Sequence, residues 1–319
     1  GSCPTLLLET SLTNLVPYSE DLTQWTKSNS SVTANAILDP KGTNNGFLVS
    51  LDTSSAYLNK VANFLAEPTT FSVYLKSPTV AGTFPLNWYA SNGGGHHREL
   101  VNVTTEWQRI ELNFTPTGLG TRFVYIGDNR GGLGETLSSV YAWGAQVESN
   151  SFATSYIPTT ASTVTRSADT GIVTGDLSSY LNSTEGVLEI KVSRSIPKNA
   201  VISISSSLTS DDNSIRLGFT ASETVLLHQI ESAGTTVISQ TPSTVSQDLT
   251  KMNVIKLKWK DGDFQAKIND TVYNIAEGAG SLPFASPLAY VRIGYPNDTS
   301  YDYAGNIQYI KIYDSASDF

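Results

Sequence analysis

Apolar and polar residues alternate one by one through much of this 319-residue chain, and this period constrains the fold more than any other feature. In the stretch TFSVYLKS, Phe71, Val73 and Leu75 alternate with more polar neighbours. Successive side chains of a strand point to opposite faces, so this period predicts a half-buried antiparallel strand. No long stretch carries the helical period together with capping residues. The chain is therefore predicted to be all-β.

The alternation recurs in two blocks separated by a polar connection. The first block contains the further strands WQRIELNFT, TRFVYIGD and VYAWGAQVE, and the second runs from GVLEIKVS to GNIQYIKIYD. From Tyr156 to Asp176 the pattern fades into Thr, Ser, Pro and Gly, which is typical of a domain connection. We predict two antiparallel β-sandwich (jelly-roll) domains in tandem: residues 1–165, a linker over 166–176, and residues 177–319.

The strongest local signal is a hairpin in the second block. Asp261-Gly262 lies between two alternating runs in NVIKLKWKDGDFQAKIND, and glycine supplies the positive φ that a tight turn needs. The residues predicted to face one core are Ile255, Leu257, Trp259, Phe264, Ala266 and Ile268.

Charge and composition narrow the range of partners. Charged residues make up 15% of the chain and the net charge is -9, without a Lys/Arg cluster, so the long-range field repels nucleic acid and anionic lipid. No apolar run reaches the roughly 18 residues of a membrane span, and no signal peptide is recognised. The single cysteine, Cys3, excludes an internal disulfide framework and a multi-cysteine zinc site. Neither nucleic acid nor membrane insertion is expected.

The stretch NWYASNGGGHHREL, residues 87–100, carries the side chains that best fit a binding site. A sugar ring stacks on an aromatic face, and its hydroxyls pair with planar polar groups. Three glycines allow a ligand to approach the backbone closely. The candidate sugar-binding residues are Asn87, Trp88, Tyr89, Asn92, His96, His97, Arg98 and Glu99.

Two other interpretations of the same stretch remain open. Trp88 could fill the sandwich core above a solvated hairpin loop; since Trp88 and Tyr89 face opposite sides of a strand, at most one of them belongs to that core. Metal binding is less favoured, because His96 and His97 point to opposite faces of an extended strand and cannot chelate one ion without a turn.

A second candidate site for sugar or calcium lies in the tyrosine-rich stretch YPNDTSYDYAG. Its candidate residues are Tyr295, Asp298, Tyr301, Asp302 and Tyr303. The alternative is a polar loop that caps the second sandwich. Asp211, Asp212 and Asn213 are read as a turn, with calcium as the alternative, and Trp25, Trp107 and Trp143 as packing residues.

Catalysis finds little support in the residue patterns. The chain has three histidines and no Gly-x-Ser-x-Gly elbow, and no nucleophile has a recognisable partner. No strand has the form Glu-x-Asp-x-x-Glu; the nearest, LEIKVS, places Lys191 two residues after Glu189. We predict that the protein is not an enzyme. A polysaccharide hydrolase or lyase with two carboxylates from distant loops remains the alternative.

Several blocks of the chain carry a resemblance. TNLVPYSEDLTQW, TTFSVYLKS, TEWQRIELNFT and, most specifically, WGAQVE, FATSYIPT and VTRSAD resemble the carbohydrate-binding-module-like jelly roll of tailed-phage tail fibre, tailspike and adsorption proteins. This resemblance spans roughly residues 4–169. From EGVLEIKVS to YAGNIQYIKIYD the chain is similar, more loosely, to the concanavalin A-like lectin/laminin-G fold.

The resemblance implies a non-catalytic carbohydrate-binding adhesion module of a phage virion, which recognises a polysaccharide or glycan on the host surface. It also implies other virion tail proteins as partners, a structural calcium ion as an option, and a homotrimer as an assembly common among tail fibres, although the chain has no heptad segment. Alternatives are structural spacer domains without a ligand, or a glycan-binding appendage of a secreted polysaccharide-degrading enzyme.

Overall fold

The computed structural model describes residues 6–91, 95–117, 121–128, 133–169, 171–172, 177–194, 200–219, 225–239, 243–273, 276–277, 280–294 and 303–319. Antiparallel strands form nearly all of the regular structure in these residues, with short 3₁₀ turns at Leu22–Gln24 and Ala316–Asp318. The all-β prediction is confirmed. Within the described part of the chain, no helix has the length and apolar character to span a membrane.

The chain forms two compact units whose limits differ from the predicted ones. The unit that we call the first sandwich is Ser11–Ser167, and the second sandwich combines Gly1–Thr10 with Ala168–Phe319. The reason is strand β1 (Leu6–Leu8), which pairs antiparallel with residues 305–307 near the C-terminus. Leu8 is 4% exposed in the core of the second sandwich. Three consecutive leucines carry no alternation, and sequence alone did not show their distant partner.

The first sandwich is built from strands β2 to β13 in the described residues. Their bounds are β2 Leu12–Asn14, β3 Thr26–Ser28, β4 Ser30–Ile37, β5 Gly46–Leu51, β6 Tyr57–Val61, β7 Thr69–Lys76, β8 Gly82–Ala90, β9 Gly95–Val103, β10 Gln108–Phe114, β11 Arg122–Gly127, β12 Ser139–Glu148 and β13 Val164–Arg166. One sheet has the order β10-β7-β12-β5-β4 and the other β3-β6-β11-β8-β9, while β13 pairs with β2.

The core of the first sandwich lies between these two sheets. Phe71, Val73 and Leu75 are fully buried there, as their alternation predicts. Leu112 is also buried, whereas Ile110 and Phe114 pack against the core at its edge. Trp25 and Trp143 are each 2% exposed, which agrees with a packing role. Trp107 is half-buried, and its indole N–H donates to the carbonyl of Leu38 over 3.0 Å.

The WGAQVE motif performs a structural task in this sandwich. The pairing of β12 with β7 shifts register between Trp143 and Gln146, and Gly144 lies within this bulge at φ 65°. Asn14 holds the bulge in place, because its amide donates to the carbonyl of Ala145 over 3.1 Å while its oxygen accepts from the N–H of Val147 over 3.1 Å. A β-bulge re-aims the side chains beside it. The motif therefore shapes the strand that carries Trp143.

The second sandwich contains β1 and strands β14 to β26. Their bounds are β14 Gly171–Ile172, β15 Glu185–Arg194, β16 Ala200–Ser205, β17 Ser214–Phe219, β18 Val225–Ser232, β19 Thr235–Ser239, β20 Ser243–Thr244, β21 Asn253–Lys260, β22 Gln265–Ile268, β23 Thr271–Tyr273, β24 Ala276–Glu277, β25 Tyr290–Ile293 and β26 Gly305–Tyr313. One sheet has the order β1-β26-β15-β21-β22-β23, and the other runs β14-β25-β16-β17-β18-β19-β24 with β20 beside β18.

The predicted hairpin joins β21 and β22. Gly262 has φ 71°, which is the conformation expected of a turn glycine. The residues of this hairpin that are fully buried in the core are Ile255, Leu257, Trp259, Ala266 and Ile268, and Phe264 packs against them. Asp211, Asp212 and Asn213 lie in the bent connection between β16 and β17: the Asp211 carboxylate pairs with Arg216 over 2.8 Å, and the Asn213 side chain accepts from the N–H of Ala233.

His228 lies in the core of the second sandwich. It is fully buried, and neither ring nitrogen has a hydrogen-bond partner within the described residues. Burial lowers the pKa of His228 from 6.5 to about 4, because the charged ring loses its hydration. The pKa of His228 is higher in the unfolded state than in the folded state, so protonation of the ring favours unfolding. Stability is fully present above pH 6.5 and is lost as the pH falls towards 4.

We expect the second sandwich to lose about 3 kcal/mol of stability over this pH interval. His228→Leu removes the titrating group, so the unfolding transition of this unit becomes much less dependent on pH. Calorimetry of both proteins between pH 7.5 and pH 4.5 measures the effect, with the first-sandwich transition as the internal control. A second-sandwich transition that shifts equally in both proteins contradicts the prediction.

Because β1 belongs to the second sandwich, a substitution in β1 is expected to destabilise that unit alone. Leu8→Ala removes a buried side chain and is expected to destabilise the second sandwich by about 2 kcal/mol, while the first is unaffected. Leu6→Ala is the matched control, because Leu6 is 52% exposed on the same strand. Thermal unfolding of the two variants compares them. Equal effects, or a loss of stability in the first sandwich, contradict the assignment of β1.

Candidate functional site

The hairpin of β8 and β9 divides the predicted sugar-binding residues between two faces of a sheet. Asn87 pairs with Arg98 and Tyr89 with His96, whereas Trp88 pairs with His97. Residues directly opposite each other in an antiparallel pair lie on the same face. Asn87, Tyr89, His96 and Arg98 therefore share the outer face. Trp88 and His97 share the face towards the core, together with Glu99.

Trp88 belongs to the core and is not an exposed stacking surface. It is 5% exposed, with Phe114 stacked at 4.4 Å between ring centroids and His97 stacked at 4.0 Å. His97 and Glu99 are exposed at a groove of about 480 Å³ between the edges of β9 and β10. The structure thus places these three residues away from the outer face. Asn92 lies outside the described residues.

The outer face of the sheet β3-β6-β11-β8-β9 carries two parallel rows of side chains that cross the strands. In the first, which we call the aromatic row, Phe123 pairs with both Tyr89 and Val61, and Tyr89 pairs with His96. His96, Tyr89 and Phe123 are half-buried, and Val61 is 39% exposed. The ring centroids of Tyr89 lie 4.5 Å from His96 and 6.2 Å from Phe123.

The second row, which we call the polar row, consists of Arg98, Asn87, Tyr125 and Asn59. Tyr125 pairs with Asn87 on one side and with Asn59 on the other. Asn87 is fully buried, and Tyr125 is 5% exposed. The aromatic row thus has rings that are partly exposed to solvent, while the hydrogen-bonding groups of the polar row beside it are mostly buried.

Asp128 follows β11 directly, and its side chain lies close to polar side chains of β8 and β9. Its carboxylate is fully buried and accepts from the Asn87 amide nitrogen over 2.8 Å. The same carboxylate oxygen lies 3.7 Å from the Arg98 guanidinium and 3.5 Å from His96 Nδ1. The charges of Arg98 and Asp128 therefore offset each other. A buried carboxylate of this kind fixes the orientation of the groups that bind it.

The contacts of Asn87 assign the tautomer of His96. The Asn87 amide nitrogen lies 2.9 Å from His96 Nδ1 and 2.8 Å from the Asp128 carboxylate. An ionised carboxylate only accepts hydrogen bonds, so the nitrogen of Asn87 must face it. That nitrogen then donates to His96 Nδ1 as well, and the proton of the neutral ring resides on Nε2. His96 Nε2 and the Arg98 guanidinium are therefore both hydrogen-bond donors.

Glu99 and Asp128 do not form a pair suited to glycoside hydrolysis. Glu99 lies on the face of β9 opposite to His96 and Arg98, and Asp128 is fully buried and hydrogen-bonded to Asn87. A hydrolytic pair needs two carboxyl groups on either side of one bond. Among the described residues there is no group of three or more His, Cys, Asp and Glu that could hold a metal ion.

The outer face of the other sheet of the first sandwich carries the buried ring of Trp143. The ring centroids of Trp143 and Tyr74 lie 5.4 Å apart there in a tilted arrangement, and Trp143 is 2% exposed. The Lys41 ammonium lies 4.8 Å from the Trp143 ring centroid and 5.1 Å from that of Tyr156. The aromatic rings of this face are therefore engaged by the protein itself.

The second predicted site is described only at Tyr303. This residue is 2% exposed, and its hydroxyl donates to the carbonyl of Ser193 over 2.6 Å. Burial raises its pKa, since the phenolate would lose its hydration. Tyr303 is therefore a packing residue and not an exposed sugar contact. Tyr295, Asp298, Tyr301 and Asp302 lie outside the described residues.

Sequence reasoning missed Phe123, Tyr125, Asn59, Val61 and Asp128. The signal for the first two was present in TRFVYIGD, where aromatic residues occupy the strand positions that alternate with the buried Val124 and Ile126. Aromatic residues at alternate positions form a continuous apolar stripe on the strand face that points away from the core, and a large apolar patch of this kind can mark a binding site. Asn59 and Val61 come from β6, and only the sheet order places them beside β11.

No protein-family model matches the sequence, and no curated protein matches it. Among solved structures, domains LG4-5 of the mouse laminin α1 chain align with a TM-score of 0.31 at 9% identity, covering 90% of this chain and 89% of that one. The N-terminal tandem CBM22 modules of Xyn10C from Paenibacillus barcinonensis align with a TM-score of 0.33 at 10% identity, covering 98% and 97%. Similarity this distant transfers no function.

The assignment of the His96 tautomer can be tested without a ligand. In the wild-type protein the ¹⁵N shifts of the imidazole are expected to show an unprotonated Nδ1 and a protonated Nε2 at neutral pH. Asn87→Leu removes the donor to Nδ1 and is expected to produce a mixture of tautomers. Long-range ¹H–¹⁵N correlation spectra of selectively labelled histidine measure this, and His97 in the same spectra is the control. A wild-type His96 with the proton on Nδ1 contradicts the assignment.

Proposed function

We propose that the first sandwich is a non-catalytic glycan-binding module and that the outer face of the sheet β3-β6-β11-β8-β9 is its binding surface. The observation that carries the proposal is the aromatic row beside the polar row. Tyr89 and Phe123 offer half-exposed rings on which the apolar face of a sugar stacks. Arg98 and His96 add N–H donors at the edge of that platform, directed by the buried carboxylate of Asp128.

Rigidity favours recognition at this face. The platform lies on strands and not on a loop, and Asn87 and Asp128 fix the polar groups before a ligand arrives. Groups that are ordered in advance lose less conformational entropy on binding. The offset charges of Arg98 and Asp128 favour hydroxyl and ether oxygens over a strongly charged ligand. An uncharged glycan therefore matches the chemistry of the site.

We extend the proposal to a place in the virion of a tailed phage, as an adhesion module that recognises a host-surface polysaccharide alongside other tail proteins. Its support is the resemblance carried by WGAQVE, FATSYIPT and VTRSAD to tail fibre and tailspike domains. A single shallow platform binds weakly. Repetition of the site in an oligomer such as a homotrimer raises the overall avidity through effective concentration.

The binding face is tested on an array of bacterial capsular, O-antigen and exopolysaccharides probed with the full chain. Tyr89→Ala is expected to lower the affinity for the bound glycan about tenfold, because a stacking contact is worth on the order of 1.4 kcal/mol. Tyr180→Ala is the matched control, since Tyr180 is a 77% exposed tyrosine of the second sandwich. Thermal unfolding confirms that each variant is folded. Equal binding by both variants and the wild type, or release of reducing ends from the glycan, contradicts the proposal.

A further inference from the structure

The aromatic row ends at a pit of about 410 Å³. Phe123 and Val61 form part of its apolar lining, and Asn59 from the polar row also borders it. The opposite wall is the segment Ala161, Ser162 and Thr163, which precedes β13. All three residues of this wall are exposed. The pit is therefore bounded by sheet residues on one side and by a chain segment on the other.

The pit and the Tyr89 platform are continuous through Phe123. Phe123 pairs with Tyr89 on one side and with Val61 on the other, so its ring borders both places. Neighbouring strands lie about 4.8 Å apart, which puts Tyr89 and Val61 roughly 10 Å from each other across the sheet. A glycan chain that crosses the strands along the aromatic row reaches the pit within a few sugar rings.

The lining of the pit has the chemistry of a sugar subsite. Val61 and Phe123 provide apolar surface, while Asn59, Ser162 and Thr163 provide amide and hydroxyl groups. Lys60 also borders the pit, but its ammonium donates to the carbonyl of Gln24 over 2.9 Å and lies 4.5 Å from the ring centroid of Tyr18. Its charge is therefore already engaged. What remains for a ligand is neutral hydrogen bonding around an apolar patch, which suits a neutral sugar.

We infer that this pit is a second sugar subsite, and that the ligand is an uncharged glycan laid across the strands, with one unit on the Tyr89 platform and a following unit in the pit beside residues 161–163. This inference rests on the proposed function, because it assigns the direction and extent of the same ligand. It adds a specificity element: the wall at 161–163 limits which unit or substituent fits beyond Phe123.

The subsite can be examined with simple sugars. Glucose, galactose, mannose and N-acetylglucosamine are titrated separately, at the millimolar concentrations that weak single-ring binding requires, into the ¹⁵N-labelled full chain. Transverse-relaxation-optimised spectra follow the backbone amides. We expect at least one sugar to shift two groups of signals: Tyr89 and His96 for the platform, and Val61 and Thr163 for the pit.

Two variants separate the subsites. Ser162→Trp fills the pit from its exposed wall and is expected to abolish the shifts at Val61 while those at Tyr89 remain. Ser151→Trp is the matched control, because Ser151 is an exposed serine that does not line the pit, and it is expected to retain both groups. On the array, Ser162→Trp is expected to weaken polysaccharide binding at least tenfold.

The outcomes distinguish the two proposals. Shifts at Tyr89 and His96 alone, or polysaccharide binding that Ser162→Trp leaves unchanged, overturn the second subsite and leave the proposed function intact. Shifts at the pit alone overturn the platform, and with it the extended ligand. Absence of shifts in both places for all four sugars, together with an array on which nothing binds, overturns both.

Discussion

The register between β8 and β9 determines which side chains of this hairpin lie on the outer face of the sheet. Antiparallel pairing sets Tyr89 opposite His96 and Trp88 opposite His97, so one polar and aromatic stretch is divided between solvent and core. A shift of one residue would exchange the two sets and expose Trp88. The stack of His97, Trp88 and Phe114 secures the register from the inside, because this indole has a place only in the core. The packing of the core and the composition of the proposed binding face therefore depend on the same pairing.

The buried carboxylate of Asp128 is the second constraint. A fully buried charge is costly unless hydrogen bonds and opposite charges compensate it, and Asn87 and Arg98 provide both. In return, the carboxylate restricts the rotamers of these side chains and, through Asn87, the proton position on His96. Part of the proposed binding surface is thus ordered by a carboxylate that is itself fully buried.

The sequence predicted an all-β fold because the one-by-one alternation of apolar and polar residues fits strands and not helices. The buried faces around Phe71 and Leu257 followed directly from it. It also predicted that at most one of Trp88 and Tyr89 could lie in the core. It did not predict which one, because either ring fits a strand face and the pairing with neighbouring strands determines which face is buried. Phe123 and Asn59 joined the site through pairings between strands distant in the chain. The sequence did not predict that β1 belongs to the second sandwich for the same reason, because its partner lies at residues 305–307.

The pairing of β1 with β26 across the inserted first sandwich has a consequence for folding. The N–H of Asp169 donates to the carbonyl of Glu9 over 2.8 Å, and β13 runs beside β2, so the ends of the inserted unit are held together. Once the first sandwich has folded, the loop that must close before β1 can join β26 is effectively much shorter. Each halving of a flexible loop saves about 0.6 kcal/mol of chain entropy. Folding of the first sandwich therefore lowers the entropic cost of pairing β1 with β26 in the second sandwich.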